Sequence, residues 1–181
     1  MGHFISDDRL KRLGHQLLCE LFAAYDFPAL YRDRFPNHDP DPLDDLRSLE
    51  DSDFSEQLVM LSALARANDD EHQTLSAVER VLPNGVGTLE ENGTIKPLMP
   101  REGCNKIIHA KTISYELDWS EKHPIWNRFY EKEGIDVQGR YKNPRIKVTG
   151  TTQRGREWKA DINAINFLLS VSTEYWKWKL T

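Results

Sequence analysis

The chain contains little cysteine and has no long apolar segment. Cys19 and Cys104 are the only cysteines in 181 residues, and both lie among apolar neighbours on predicted helices. This pattern favours reduced, buried thiols over a disulfide framework or a cysteine-based zinc site. No apolar run approaches the roughly 20 residues that a bilayer-spanning helix needs. We see no other grouping of metal ligands, so we expect neither a metal nor a cofactor.

The motifs of several enzyme classes are also missing. The chain has no phosphate-binding G-x-x-x-x-G-K-[ST] loop, no dinucleotide-binding G-x-G-x-x-G and no G-x-S-x-G nucleophile elbow. Its first ten residues include Asp7, Asp8 and Arg9 and no apolar core. We therefore expect no secretory signal, no membrane partner and a cytoplasmic location.

Charge is unevenly distributed along a chain whose net charge is -5, which excludes a uniformly basic nucleic-acid binder. Residues 26–53 hold nine acidic and three basic side chains, whereas residues 140–159 hold seven basic and one acidic. This asymmetry indicates one face built for an anionic partner. A solvated edge, or docking of the basic stretch on the acidic one in a dimer, explains it equally well.

Hydrophobic periodicity predicts a mainly α, α+β protein with one domain over 1–181. We expect a four-to-five-helix bundle with a small antiparallel hairpin or sheet, within 112–160, inserted between the third and last long helices. The third helix starts at Pro100 and the last follows Asp161 as its N-cap. Asn92-Gly93 is compatible with a small hairpin or with a loop.

The third predicted helix carries the sharpest group of polar side chains. Arg101, Asn105 and His109 follow one another at intervals of four, so they line one strip of the helix, beside an apolar strip. A histidine can transfer protons near neutral pH, and an arginine can bind phosphate through paired hydrogen bonds. These types suit RNA cleavage by the 2′-hydroxyl group, which needs no metal. The same residues also occur as ordinary residues at the margin of a core.

Four helices with an Arg-polar-His pattern on the third resemble the HEPN superfamily. The stretch Arg101-Glu-Gly-Cys-Asn105-Lys-Ile-Ile-His109 resembles its active-site helix, although seven residues separate the arginine from the histidine where four to six are usual. Many members are metal-independent endoribonucleases of toxin–antitoxin and phage-defence systems, and they commonly dimerise. The resemblance implies that His109 acts as general acid or base, that Arg101 binds phosphate and that Asn105 is the polar motif residue.

Two further groups of side chains complete the predicted site. The end of the second helix offers Arg66, Asp69 and Asp70, from which an acidic group can orient Arg101 or His109. The basic hairpin offers six cations for a phosphate backbone. They are Arg140, Lys142, Arg145, Lys147, Arg154 and Arg156.

The leading hypothesis is therefore a dimeric, HEPN-like, metal-independent endoribonuclease that acts on RNA as a toxin or phage-defence effector. A wide apolar surface on the last helix, including Phe167, Val171 and Tyr175, indicates a homodimer contact. The first alternative is a non-catalytic HEPN-like module that binds a nucleic acid or a protein, such as an antitoxin or another defence protein. The second is an unrelated helical protein in which the strip is structural.

Overall fold

The computed structural model describes residues 7–23, 44–121, 131, 133–134 and 140–173. In chain order, its elements are α1 (Asp7–Ala23), α2 (Asp44–His72), α3 (Thr74–Val81), β1 (Gly87–Glu91), β2 (Thr94–Leu98), α4 (Pro100–Ile108), β3 (Thr112–Ser120), β4 (Tyr141–Thr151), β5 (Glu157–Asn163) and α5 (Ala164–Ser172). Within these residues, none of the helices combines the length and the apolar character that crossing a membrane requires.

The strands of the described residues form one five-stranded sheet in the order β2-β1-β5-β4-β3, with every neighbouring pair antiparallel. Asn92 and Gly93 both have positive φ angles and make the two-residue turn between β1 and β2. This backbone conformation suits the twist of a tight hairpin. The β1–β2 hairpin then joins the β4–β5 hairpin through the pairing of β1 with β5.

The predicted helix bundle with a small β insertion is wrong. The sheet is a full layer of the fold, and two of its strands, β1 and β2, precede α4 and so lie outside the predicted insertion at 112–160. The local pattern conceals them because each has only five residues and each buries a single apolar side chain, Leu89 in β1 and Leu98 in β2. Pairing between β1 and β5 joins segments about 70 residues apart, which periodicity along the chain does not encode.

The core lies between the helices and one face of the sheet. The sheet side of this core is made by side chains that alternate along the strands, and all are at most 3% exposed. They are Leu89, Ile146, Val148, Trp158, Ala160 and Ile162. Leu17, Leu58 and Phe167 from three helices pack in the same cluster. The other face of the strands carries mostly polar side chains that are exposed or half-buried, with Ile95 of β2 as an exposed apolar exception.

The last helix begins two residues later than predicted. β5 continues through Asp161 to Asn163, whose side-chain oxygen accepts a hydrogen bond of 2.9 Å from the backbone N–H of Asn166. Asn163 is thus the N-cap, and the prediction of Asp161 was wrong because the strand alternation extends to Ile162. Phe167 and Val171 are buried in the protein's own core, and Tyr175 lies outside the described residues.

A close crossing of α1 and α5 depends on Gly14. A Cβ atom at this position would overlap the Ser172 side chain, which donates a hydrogen bond to the Leu168 carbonyl. The two helices can approach this closely only because α1 has no side chain there.

We expect Gly14→Val to lower the free energy of unfolding by about 1–3 kcal/mol, since overpacking at this contact must push the helices apart. Urea denaturation of the wild type and the variant measures the loss. Lys11→Val is the matched control, because it places the same β-branched residue at an exposed position of the same helix. Equal stability of the two variants would contradict the close crossing.

Candidate functional site

The helix predicted to carry the site, α4, begins at Pro100 as expected and ends at Ile108. Cys104 and Ile107 are fully buried, so the apolar strip of the helix faces the core. Arg101 and Asn105 are half-buried at its margin. His109 is exposed and occupies the C-cap position, with its backbone N–H bonded to the carbonyl of Asn105 at 3.1 Å.

Arg101 forms ion pairs with two carboxylates. Its Nη1 donates to Oδ2 of Asp69, and its Nη2 donates to Oδ1 of Asp70 at 2.5 Å. Both acidic residues stand at the end of α2, where the sequence places possible supporting groups for this site. The Arg101 guanidinium is therefore already neutralised within the protein.

Asp69 connects three helices. Its side chain is 2% exposed, and its second oxygen, Oδ1, accepts a hydrogen bond of 2.7 Å from the backbone N–H of Leu75 in α3. The backbone N–H of Arg101 is 3.4 Å from Oε1 of Glu79, also in α3. One buried carboxylate thus fixes the end of α2, the start of α3 and the start of α4.

The ion pairs around Arg101 shift the pKa values of the groups that form them. Hydrogen bonds to Asp70 and then to Asp69 raise the pKa of Arg101, and the bond from Arg101 lowers the pKa of Asp70. Arg66 is 3.9 Å from Asp70, and its buried Nε has no hydrogen-bond partner among the described residues. Burial raises the pKa of Cys104 to about 12, so its thiol stays protonated and is a poor nucleophile.

The structure does not gather Arg101, Asn105 and His109 around one point. His109 follows Arg101 by eight positions, which corresponds to roughly 12 Å along the helix axis. A phosphate bound at Arg101 would therefore lie beyond hydrogen-bond reach of His109 in the same chain. Arg101 and Asn105 lie half-buried at the margin of the core, whereas His109 is exposed just beyond the helix, so the two ends of the strip face different surroundings.

The six predicted nucleic-acid cations also separate into groups. Arg145 and Lys147 lie on the outer face of the sheet, and both contact Asp161, at 2.9 and 3.0 Å. Lys147 is also 3.5 Å from Glu116. The bond to Asp161 raises the pKa of Lys147. Burial alone would raise the pKa of Asp161, but the hydrogen bonds from Arg145 and Lys147 outweigh burial, so the pKa of this carboxyl is lowered.

Arg140 and Lys142 stand at the opposite end of β4 from Arg154 and Arg156. The eleven residues of β4 place these two pairs about 35 Å apart. The Arg140 guanidinium carbon lies 5.4 Å from the centroid of the Trp119 ring, which is a cation–π contact. The six predicted cations are therefore distributed along the length of the hairpin, and their role in binding a phosphate backbone stays a prediction.

Arg154 and Arg156 belong instead to a cluster that we call the basic end of the sheet. Both are exposed on the turn from β4 to β5, where the backbone N–H of Thr152 bonds to the Arg156 carbonyl at 2.8 Å and Gly155 has a φ of 75°. The cluster consists of Lys106, His109, Lys111, Arg154, Arg156 and Lys159.

Strand pairing places these residues at one end of the sheet. The backbone N–H of Lys111 bonds to the Thr149 carbonyl at 2.8 Å, and Lys159 is the cross-strand neighbour of Thr149 on its other side. Sequence analysis missed Lys106 and Lys111, although both flank His109. The signal that identifies them is the short connection from α4 into β3, which returns the chain to the sheet beside the basic hairpin.

Lys106 is held by an aromatic ring. Its Nζ lies 4.5 Å from the centroid of Trp158, a side chain that is 3% exposed. The same ring covers Gly150 on β4, where a Cβ atom would overlap it. Trp158 is therefore a core residue that orients Lys106, and it offers no free face for stacking a base.

Comparisons with protein-family models, with curated proteins and with solved structures give no match. Among the described residues, no group of three or more histidine, cysteine, aspartate or glutamate side chains is arranged to hold a metal ion. Most of the acidic stretch 26–53 lies outside these residues. The resemblance to the HEPN superfamily stays a prediction.

We expect Asp69→Ala to lower the free energy of unfolding by about 2–3 kcal/mol, because it leaves the Leu75 N–H without its acceptor and removes one partner of Arg101. Asp70→Ala is the matched control and should cost less, since Asp70 is largely exposed. Chemical denaturation of the two variants gives the comparison. A larger loss for Asp70→Ala would contradict the role assigned to Asp69.

Proposed function

We propose that this protein binds RNA through the basic end of its sheet. The main support is that four exposed cations of this cluster have no ion pair among the described residues. They are Lys111, Arg154, Arg156 and Lys159. In contrast, Arg101, Arg145 and Lys147 are each neutralised by carboxylates of the protein.

Unpaired, exposed cations are the groups that gain most from a phosphate. Binding a polyanion releases its counterions, whereas a cation already bonded to a carboxylate must first give up that partner. Three acids lie at this end of the sheet: Glu157 in the turn region, and Glu90 and Glu91 on β1, of which Glu90 is the cross-strand neighbour of Lys159. The five cations of the basic end outnumber them. Because the Trp158 ring is buried, we expect contacts to phosphates with little dependence on base sequence.

We expect the double variant Arg154→Glu/Arg156→Glu to bind a fluorescein-labelled single-stranded RNA about tenfold more weakly or worse in fluorescence anisotropy at moderate salt. Two lost phosphate contacts should also make the slope of log affinity against log salt shallower by about 1.4. The matched control is Lys11→Glu/Arg12→Glu on α1, which changes the net charge equally at exposed positions away from the sheet. Equal weakening by both double variants would contradict a localised site.

A second candidate is metal-independent RNA cleavage that uses His109. Its support is an exposed imidazole two residues before Lys111, an exposed cation without an ion pair among the described residues, and three residues after Lys106, whose ammonium lies against the Trp158 ring. In this reaction the 2′-hydroxyl loses its proton and attacks the adjacent phosphorus, the bond to the 5′-oxygen breaks, and that oxygen gains a proton. Histidine suits the proton transfers and nearby cations stabilise the charge on the phosphate.

This candidate changes the part assigned to Arg101. The arginine positions α4 through Asp69 and Asp70, and the phosphate contacts come from the basic end. Asn105 lies between the two clusters, and the resemblance to HEPN domains is its only support as a site residue. A toxin or defence role and a partner protein remain predictions.

We expect His109→Ala to cleave RNA at least about 100-fold more slowly than the wild type in EDTA, with binding retained, because only the proton-transfer group is lost. Denaturing gels with analysis for 2′,3′-cyclic phosphate ends measure the reaction. His72→Ala, which removes another exposed histidine, is the control. Equal cleavage by the wild type and His109→Ala would contradict this candidate and leave the binding proposal intact.

A further inference from the structure

The two edges of the sheet are built differently. The β2 edge has five residues, Pro97 lacks a backbone N–H, and Lys96 places a charge toward Glu102, with 2.9 Å between them. A short strand, a proline and an inward charge all oppose pairing with another strand. The β2 edge is thus protected.

The β3 edge has none of these protections. It has nine residues and no proline, and its register with β4 is continuous from Thr112 to Ser120. Within the described residues, no further strand pairs with it. A long, regular edge of this kind offers backbone donors and acceptors to an added strand.

The apolar layer is also incomplete at β3. Ile113 and Leu117, on the side of the strand that faces the helices, are only half-buried, and Trp119 is 51% exposed. Val148 and Pro144, their cross-strand partners on β4, are both buried. An additional strand would extend this layer and cover the half-buried row.

We propose that β3 pairs antiparallel with β3 of a second copy of this chain, in a register centred on Tyr115. That register sets Ile113 opposite Leu117 of the other copy, Thr112 opposite Asp118, Ser114 opposite Glu116, and Lys111 opposite Trp119. Its apolar residues face one another, each acidic residue faces a hydroxyl, and the ammonium faces an aromatic ring.

Charge selects this register from its neighbours. A centre on Glu116 would set two copies of that carboxylate opposite each other, and a centre on Leu117 would set Glu116 opposite Asp118. Like charges directly opposite are unfavourable. A centre on Ser114 would leave the C-terminal third of the strand outside the paired region. Of these registers, the one centred on Tyr115 pairs residues 112–118 with one another, and Lys111 with Trp119, without opposing two acids.

The test places charge at Thr112, which faces Asp118 twice in the symmetric dimer. Thr112→Lys should tighten the dimer and Thr112→Glu should loosen it, each by about fivefold in Kd, measured by sedimentation equilibrium without RNA. Thr88→Lys and Thr88→Glu are the controls, since Thr88 is an exposed residue on the same face of β1, away from the edge. They should leave Kd unchanged.

Hydrogen exchange of the wild type is a second measurement that needs no variant. Amides of β3 that point away from β4 should exchange slowly above the dimer Kd and quickly below it. A monomer at all concentrations, or a dimer that responds equally to the Thr88 and Thr112 variants, would overturn the proposal. Hydrogen exchange at β3 that does not change with protein concentration would also overturn the proposal. The same holds if the edge is occupied by a different protein.

Discussion

The buried carboxylate of Asp69 is the interaction on which the arrangement of the helices depends. It accepts from the backbone of Leu75 and from the guanidinium of Arg101, so three helices meet at one side chain. A charge this deeply buried is tolerated only with such partners. Because Arg101 is the second residue of α4, the contact also fixes the position of the helix, from which the chain continues through Lys111 into the sheet.

The sheet also determines which charged side chains are paired with one another and which are not. Its outer face sets Asp161 between Arg145 and Lys147, and Glu116 beside Lys147, so these charges compensate one another across three strands. Such cross-strand pairs stabilise a solvated sheet face. The turn beyond β4 has no equivalent acid partner for its arginines among the described residues. The arginines of this turn, which lie beyond the paired strands, are therefore the ones left available to a ligand.

Local patterns predicted part of this molecule well. Pro100 at the start of α4, the alternation of β3 and the β4–β5 hairpin are each encoded within a few neighbouring residues, and the structure has all three. Pairing of β1 with β5 joins distant segments through strands with a single buried side chain each, and no local pattern carries it. The sequence predicted only that acidic residues at the end of α2 lie near Arg101. Which carboxylate it contacts depends on the break between α2 and α3 at Gln73.

The strip on α4 shows why spacing alone is a weak guide to a site. Intervals of four residues bring side chains to one side of a helix, but they also separate them by about 6 Å per interval along the axis. Over two intervals the ends of the strip reach different neighbours: Arg101 meets two carboxylates, and His109 meets solvent among cations. Chemistry on a phosphate needs groups that converge on one atom. In this fold the chain passes from His109 through Lys111 into the sheet, where the Lys111 N–H bonds to the Thr149 carbonyl, so the end of α4 and the basic β4–β5 turn lie at the same end of the sheet.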